Sequence, residues 1–451
     1  MRLTSWTLPL VAVCSLFLTE ARAEPSSVAA PSAPAQAAPA PADKPKDLLG
    51  NMVVVAAATR SLPKIGVVPS LSPDLEDVTL RSVIRRDLDL SGEFELLSDD
   101  DAPDSLYLSD SPVDTKAWSK KGVEGVVRVS AKRADDKGTS IELVGQAFLV
   151  KSGATPVFEK KTTVLAATLR TASHRMADAL IGALTGTNGG FASRLTFASG
   201  TGKLRRAYVI DADGFGARGV SPDTETAIAP AFGKDEELFW AGSKNNGEYR
   251  LRSETGKDHP LAFPGSVYGV AFSKDRSKVA VSIGTLGFIK LYSGPDLDHL
   301  TAASTAPFAM EPTFTPGGKV AFVGLGQSGQ RVFVDDKPVT PDGVFAMSPT
   351  FCNHPDGMKL VFAAGPSTDT DLFSTGEQGG SIVRLTQDQG KNSSPACSPD
   401  GRMIAFFSTR KTGEGPGLYV MRADGLRAKR ISPLQGDSLR WDPLPAASSA
   451  N

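Results

Sequence analysis

The sequence predicts an α/β N-terminal domain followed by an all-β six-bladed propeller. Three observations lead to this fold class: a short apolar leader begins the chain, alternating strand and helix signals follow it, and a degenerate repeat of about forty residues fills the C-terminal half. The segments that we expect are a signal peptide (1–23), an Ala/Pro-rich disordered tether (24–46), the α/β domain (47–195), the propeller (196–445) and a C-terminal tail (446–451).

The first residues have the features of a secretory signal peptide. Arg2 precedes an apolar stretch at residues 8–18, and Ala21 and Ala23 form a small-residue cleavage motif. The apolar stretch is too short to cross a membrane as a helix. Lipidation at Cys14 is disfavoured by the bulky Val13 before it. We therefore expect export, cleavage after Ala23 and no membrane insertion of the mature chain.

Composition limits the classes of function. Residues 24–46 are mostly Ala, Pro and Ser, which bury too little apolar surface to fold and favour a disordered spacer. The formal net charge of −1 argues against a broad nucleic-acid footprint. Behind the signal peptide only Cys352 and Cys397 remain. We interpret them as buried thiols, because spacing alone does not establish a bridge.

The α/β domain is predicted from hydrophobic periodicity. One helix should bury Leu80, Val83, Ile84 and Leu88 on one face, and the closing helix should bury Leu169, Ala172, Met176, Leu180 and Leu184. The expected elements in order are a strand at 64–69, a helix at 76–90, a strand at 94–97, a β-meander at 125–132, 140–150 and 156–164, and a helix at 169–184.

The propeller is predicted from a recurring turn. Its clearest copy is Ser398-Pro399-Asp400-Gly401, in which Pro presets φ and Gly accepts a positive φ, and an apolar strand follows at residues 403–408. Positions equivalent to Pro399 recur 39 to 44 residues apart, a spacing that suits four-stranded blades, at Lys234, Lys274, Pro316, Pro355 and Pro443.

The ends of the repeat are out of phase. Residues 204–221 match the second half of the clear copy, and only residues 444–451 follow the last turn. We therefore predict six blades, of which the first is completed by the strand around residues 439–441 pairing with residues near 205–221. Closing the ring removes the open sheet edges.

These features together resemble the TolB family, periplasmic components of the Tol-Pal system of Gram-negative envelopes. The resemblance covers most of residues 64–445. It depends on the repeat and on the following motifs: Ile65-Gly-Val-Val-Pro69, Asp89-Leu-Ser-Gly-Glu-Phe94, Ala117-Trp118, Gly125-Val-Val127, Leu184-Thr-Gly186, Phe407-Ser-Thr-Arg410 and Tyr419-Val-Met421.

The resemblance implies a monomeric periplasmic scaffold that binds the peptidoglycan-associated lipoprotein Pal through its propeller. It also implies TolA as a second partner, through the segment after the tether, for which residues 48–59 are the counterpart. Loops that enter the innermost strands should crowd one mouth of the channel, with Tyr268 as the central contact. The candidate partner-binding residues are Ser266, Val267, Tyr268, Met310, Glu311, Met347, Asn392, Ser393 and Ser394.

Catalytic chemistry has little support in the sequence. Nucleophile-elbow, zincin and P-loop motifs are missing, and we predict no cofactor, no metal and no enzyme activity. The four histidines are scattered, and His174, in mid-helix, is expected at the surface. The acidic runs 99–101 and 135–136 are interpreted as solvated turns. Two other functions stay open: a TolB-like paralogue with a different periplasmic or surface ligand, and a propeller hydrolase with an active site in its channel.

Overall fold

The computed structural model describes residues 61–70, 74–103, 111–200, 204–245, 247–366 and 368–443. The predicted signal peptide, the tether and residues 48–59 lie outside these ranges. The chain divides into two units, Met1–Asp43 and Lys44–Asn451, and all elements below belong to the second. No described helix is long and apolar enough to span a membrane.

A five-stranded sheet and two long helices form the α/β domain. The strands are β1 (Lys64–Val67), β2 (Glu95–Leu96), β3 (Gly125–Arg133), β4 (Ser140–Leu149) and β5 (Phe158–Leu165), and the helices are α1 (Leu75–Leu90), α2 (Thr115–Lys120) and α3 (Leu169–Thr185). The sheet order is β2-β1-β3-β4-β5, with β1 parallel to both its neighbours. The predicted strands and long helices are therefore confirmed, whereas α2 and three short 3-10 helices, at Asp99–Asp101, Val150–Ser152 and Ala166–Thr168, were not expected.

Packing of the long helices follows the predicted stripes. Leu80, Val83, Ile84 and Leu88 of α1 are all buried. Ala172, Met176 and Leu180 of α3 are buried, whereas Leu169 and Leu184 are only partly covered. Gly145 of β4 permits this contact, because a Cβ there would lie 2.4 Å from the Met176 sulfur.

Six antiparallel sheets among the described residues form the propeller, as predicted. In blades 2 and 3 the strands are β9 (Thr226–Phe232), β10 (Leu238–Ser243) and β11 (Arg250–Ser253), then β12 (Ser266–Phe272), β13 (Val279–Thr285), β14 (Phe288–Gly294) and β15 (Thr301–Ala302). In blades 4 and 5 they are β16 (Ala309–Phe314), β17 (Val320–Leu325), β18 (Gln330–Val334) and β19 (Lys337–Pro338), then β20 (Met347–His354), β21 (Gly357–Ala364), β22 (Asp371–Gly376) and β23 (Val383–Arg384).

The last two blades meet where the ring closes. Blade 6 consists of β24 (Asn392–Cys397), β25 (Met403–Ser408), β26 (Gly417–Arg422) and β27 (Lys429–Ser432), and blade 1 consists of β6 (Ser193–Ser199), β7 (Arg206–Asp211), β8 (Arg218–Gly219) and β28 (Asp437–Pro443). The order in blade 1 is β28-β6-β7-β8. The innermost strands β28, β9, β12, β16, β20 and β24 contact one another in this order around the channel.

The closing strand pairs with a different partner from the one predicted. Trp441 lies opposite Leu195 of β6, and the Trp441 Nε1 donates a hydrogen bond to Ser193 Oγ at 2.7 Å. The predicted pairing with residues 205–221 is thus wrong by one strand, and β6 begins before the expected boundary at residue 195. In the other blades a repeat turn links the first strand to the second. In blade 1 these two strands, β28 and β6, lie at opposite ends of the propeller sequence, so no repeat turn precedes β6.

The two remaining cysteines form a disulfide, which corrects their interpretation as buried thiols and provides the bridge that spacing alone could not establish. Cys352 of β20 and Cys397 of β24 join the innermost strands of blades 5 and 6, with Cα atoms 5.2 Å apart. Sequence placed both beside repeat turns of adjacent blades, but it did not reveal that their side chains point at each other.

Helices α1 and α3 share one buried apolar cluster with blades 1 and 6. Polar contacts reinforce this junction: Lys429 Nζ donates to the Asp89 carbonyl at 3.1 Å, and Arg422 Nη1 donates to the Gly92 carbonyl at 3.3 Å. The α/β domain is therefore packed on the strands beside the closure of the ring.

A buried ionisable cluster lies in the same junction, and it corrects the expectation of a surface histidine. His174 is 1% exposed, and its Nδ1 lies 2.7 Å from Asp87 Oδ2. Burial raises the pKa of Asp87 to about 7, although His174 opposes this. Burial lowers the pKa of His174, but Asp87 outweighs that effect and raises it above its usual value.

Asp213 completes the cluster from the turn between β7 and β8. The acidic and imidazole atoms of Asp87, His174 and Asp213 lie within 4.8 Å of one another, close enough to hold a cation. However, Arg170 pairs with Asp213, and Arg86 Nε donates to the Asp213 carbonyl at 2.8 Å. Because two guanidinium groups already balance these charges, we interpret the cluster as an ion-pair network that joins the domains.

Removing the disulfide should lower stability without changing the fold. In a Cys352→Ser/Cys397→Ser variant we expect the free energy of unfolding to fall by about 2–4 kcal/mol, because the bridge closes a long loop in the unfolded chain. Urea unfolding measures this, and a reducing agent should destabilise the wild type but not the variant. Equal stability of the oxidised wild type and the variant would contradict the bridge.

Stability should fall as pH rises from about 4, the ordinary pKa of an aspartate, through about 7, the raised pKa of Asp87. A raised pKa means that the folded state holds the proton more tightly than the unfolded state, so the stabilisation is present at low pH and is lost as Asp87 deprotonates; the raised pKa of His174 acts in the same direction. Urea unfolding across this range should show a smaller slope in Asp87→Asn. Asp135→Asn is the control, since hydrogen bonds hold the pKa of that exposed carboxyl below its usual range. An unchanged slope in Asp87→Asn would refute this assignment.

Candidate protein-binding site at the propeller channel

Each innermost strand contains a β-bulge near its start, and the six bulges surround one end of the channel. The ladder between the first and second strand shifts register in every blade. Five bulge residues have φ between 49° and 55°, namely Ala229, Glu311, Ser348, Ser394 and Ser438, and in blade 3 the extra residue is Tyr268. Bulges of this kind redirect side chains locally.

We call this end of the channel the bulge mouth. The space at its centre is about 450 Å³, open to solvent. All six bulge residues line it, together with Arg440 and the prolines that follow three of the bulges. The fold thus converts one repeated irregularity into a continuous ring of six side chains, of which Tyr268 is the only aromatic one.

Three of the predicted partner-binding residues line this mouth, Tyr268, Glu311 and Ser394, although Ser394 is only 4% exposed and offers a partner little surface. Four more lie partly buried on the same strands: Ser266, Met310, Met347 and Ser393. Two predictions are corrected, because Val267 is 3% exposed and Asn392 is fully buried. Val267 packs in the apolar core of blades 2 and 3, and the Asn392 amide donates to Asp371 and to the Gly390 carbonyl, so neither side chain is open to a partner.

Tyr268 presents the largest exposed surface at the mouth. Its side chain is 37% exposed, and its ring lies 6.4 Å from that of Tyr249. A Cβ on Gly284 would come within 2.3 Å of the Tyr268 ring. Glycine at this position of β13 therefore permits the ring to lie directly on the neighbouring strand, which fixes an apolar surface at the rim.

Glu311 links two bulges. Its carboxylate accepts a hydrogen bond from the Ser348 backbone N–H at 2.5 Å, which joins blade 4 to blade 5. Burial raises the pKa of Glu311, against the opposing effects of the Ser348 N–H and Arg440. The carboxylate is therefore held in a fixed position within the mouth rather than free in solvent.

Arg440 crosses the channel below this ring. It extends from β28 of blade 1, and its Nη2 donates to the carbonyl of Pro312 in the opposite blade 4 at 2.7 Å. Burial lowers the pKa of the guanidinium, and the nearby Asp442 and Glu311 oppose that shift. Arg440 lines both the bulge mouth and the opposite mouth, so it separates the two.

The sequence did not predict the bulges or Arg440. A usable signal existed, since a proline follows the bulge residue in four blades, at Pro230, Pro312, Pro349 and Pro395. The acidic runs are accounted for locally: Asp99 pairs with Arg81 and Arg85, and Asp135 accepts hydrogen bonds from the backbone of Thr139 and Ser140.

Family models match a part of each domain. The family model described as the TolB amino-terminal domain matches residues 51–144, and the one described as the TolB beta propeller domain matches residues 294–443. Together they cover the beginning of the α/β domain and the last blades.

One solved structure agrees in fold. TolB from Acinetobacter baumannii is 21% identical, the match covers 85% of this chain and 98% of that chain, and the TM-score is 0.68. The putative TolB from Agrobacterium tumefaciens is 16% identical over 56% of this chain and 98% of that chain, with a TM-score of 0.43. With its amino-terminal domain and propeller both matched, the chain belongs to the TolB family.

Proposed function

We propose that the protein is a non-catalytic periplasmic scaffold of the Tol-Pal envelope-integrity system, and that it binds a Pal-like lipoprotein at the bulge mouth. The observation that carries this proposal is the ring of six bulges, of which Tyr268 is one. It places one exposed aromatic side chain among small polar groups, and exposed tyrosines of this kind are enriched among the residues that dominate protein interfaces.

The chemistry of the mouth favours binding over catalysis. Among the described residues that line it there is no histidine or cysteine, and its carboxylate, Glu311, is engaged by Ser348. The Ser348 hydroxyl lies 3.5 Å from Glu311 Oε1, but the other oxygen of that carboxylate already accepts the Ser348 backbone N–H, and the described lining has no histidine to activate the serine. Binding a partner requires no activated nucleophile among these groups, whereas a hydrolase requires a nucleophile and a base within hydrogen-bond reach.

Family membership supports the cellular setting. A periplasmic location fits the signal peptide expected from residues 1–23, and a second contact, with TolA, belongs to the proposal through residues 48–59. A TolB-like paralogue with another ligand is the competing function. It differs only in the partner, so binding experiments with purified Pal decide between the two.

Tyr268→Ala should weaken Pal binding by ~1–3 kcal/mol, because it removes the largest exposed contact at the mouth. The blade core should survive, as Tyr268 lies at a bulge. Isothermal titration calorimetry measures the affinity, and thermal unfolding checks the fold. Leu165→Ala is the matched control, since Leu165 is 61% exposed at the end of β5 in the other domain.

Gly284→Ala provides an independent test of the same surface. The added methyl would displace the Tyr268 ring without removing it, so affinity should also fall. Full Pal affinity in folded Tyr268→Ala and Gly284→Ala would exclude this mouth as the site. No detectable binding of Pal by the wild type would overturn the proposed partner and favour the paralogue.

Export should remove residues 1–23. Mass spectrometry of the protein recovered from the periplasm should give a mature N-terminus at Glu24, because Ala21 and Ala23 satisfy the small-residue cleavage motif. An Ala23→Leu variant should be cleaved poorly, whereas Ala30→Leu, in the tether, should be processed normally. A mature chain beginning at another residue, or a lipidated Cys14, would contradict this.

A further inference from the structure

The second mouth of the channel, opposite the bulge mouth, has a different chemistry. We call it the turn mouth, because residues in and next to the turns between the first and second strands of blades 3 to 6 line it, together with the end of β28 in blade 1. We propose that the turn mouth binds an acidic side chain of a polypeptide partner, with Arg440 as the deep contact. This site goes beyond the proposed function, which uses the other mouth.

The turn mouth is a defined cavity with apolar walls. Its space is about 830 Å³ including the part open to solvent. The aromatic side chains that line it are Phe272, Phe314, Phe351 and Trp441, and the polar ones include Thr315, Asn353 and Ser398. Such a mixture suits a peptide segment, whose apolar atoms can pack on the walls while one polar group enters the centre.

Positive charge exceeds negative charge in the lining. Lys274, Arg276 and Arg440 line the mouth against a single acid, Asp442. Asp442 is already engaged, since its Oδ1 lies 2.6 Å from Arg276 Nη2. Lys274 is exposed at the rim. A carboxylate that enters this mouth therefore meets two cations that are not neutralised by the lining.

Arg440 makes the centre of the mouth specific for an anion. A guanidinium has five N–H donors, and among the described residues only the Pro312 carbonyl accepts a hydrogen bond from it. Its nearest acids do not neutralise it by direct contact: Asp442 pairs with Arg276, and Glu311 bonds to Ser348 on the far side. Arg440 is partly buried, and a guanidinium that is shielded from solvent is most stable when it is paired with an anion; a carboxylate that enters this mouth would supply that partner.

The charge pattern favours an acidic peptide over a nucleic acid. A nucleic acid requires a broad basic surface, whereas the whole chain has a formal net charge of −1. The three cations of the turn mouth, Lys274, Arg276 and Arg440, line a single cavity whose wall contains aromatic side chains. An acidic side chain flanked by other residues matches both the point-like charge and the apolar surroundings.

The test uses an N-acetylated hexaglutamate amide as the probe, with hexaglutamine of the same format as the neutral control. Calorimetric titration into the mature protein should show saturable binding of hexaglutamate that weakens as the salt concentration rises, and none of hexaglutamine. Trp441, in the wall of the cavity, provides a fluorescence change as a second readout.

Arg440→Gln should weaken hexaglutamate binding at least about tenfold, because it removes a charge-assisted contact. Lys274→Gln should weaken it several-fold, and Lys274→Glu should abolish it. Lys274 is exposed, so these two variants remain informative if Arg440→Gln does not fold. Arg250→Gln is the control, since Arg250 is exposed on β11, away from the channel.

Several outcomes would overturn the proposal. These are no binding of hexaglutamate by the wild type, equal binding of hexaglutamine, or unchanged affinity in folded Arg440→Gln and Lys274→Gln. Glutarate binding as tightly as hexaglutamate would assign the mouth to small dicarboxylates and contradict a polypeptide occupant. Tyr268→Ala should leave hexaglutamate binding unchanged, so that failure at this mouth is distinguishable from failure of Pal binding at the bulge mouth.

Discussion

The pairing of β28 with β6 is the constraint on which the rest of the structure depends. It joins the last described strand to β6, the first propeller strand in the sequence, and it covers the strand edges that would otherwise be exposed where the ring closes. The same short strand also places Ser438 in the bulge ring, Arg440 across the channel and Asp442 beside Arg276. Closure and the chemistry of the channel are therefore set by one segment of seven residues.

The fold was largely predictable because its signals are periodic. Apolar stripes indicated α1 and α3, and the recurring turn counted the blades correctly. The predictions were wrong or incomplete for features that no periodic sequence pattern marks. No repeat turn precedes β6, because β28, the strand before it in the blade, comes from the other end of the propeller sequence. Helix α2 is short, and it depends on the Asp114 cap and the buried Trp118. The disulfide and the burial of His174 depend on how side chains from distant segments face each other, which spacing does not reveal.

The candidate site was predictable in position but not in detail. The loops before the repeat turns do converge on one mouth, and Tyr268 lies at its rim. Whether a residue in those loops points into the mouth or into the blade depends on the bulge, which reverses the alternation of side chains locally. Simple alternation therefore could not exclude Val267 and Asn392, and it gave no reason to select Arg440, whose role arises from the opposite blade.

Arg440 gives the channel two chemically different ends rather than one continuous pore. Above it, short side chains and Tyr268 form a nearly neutral ring in which Glu311 is held by Ser348. Below it, Lys274 and Arg276 surround an aromatic-walled cavity. The guanidinium between them is bonded to the Pro312 carbonyl, directly beside the bulge of blade 4. The two mouths are thus separated by a residue that both of them share.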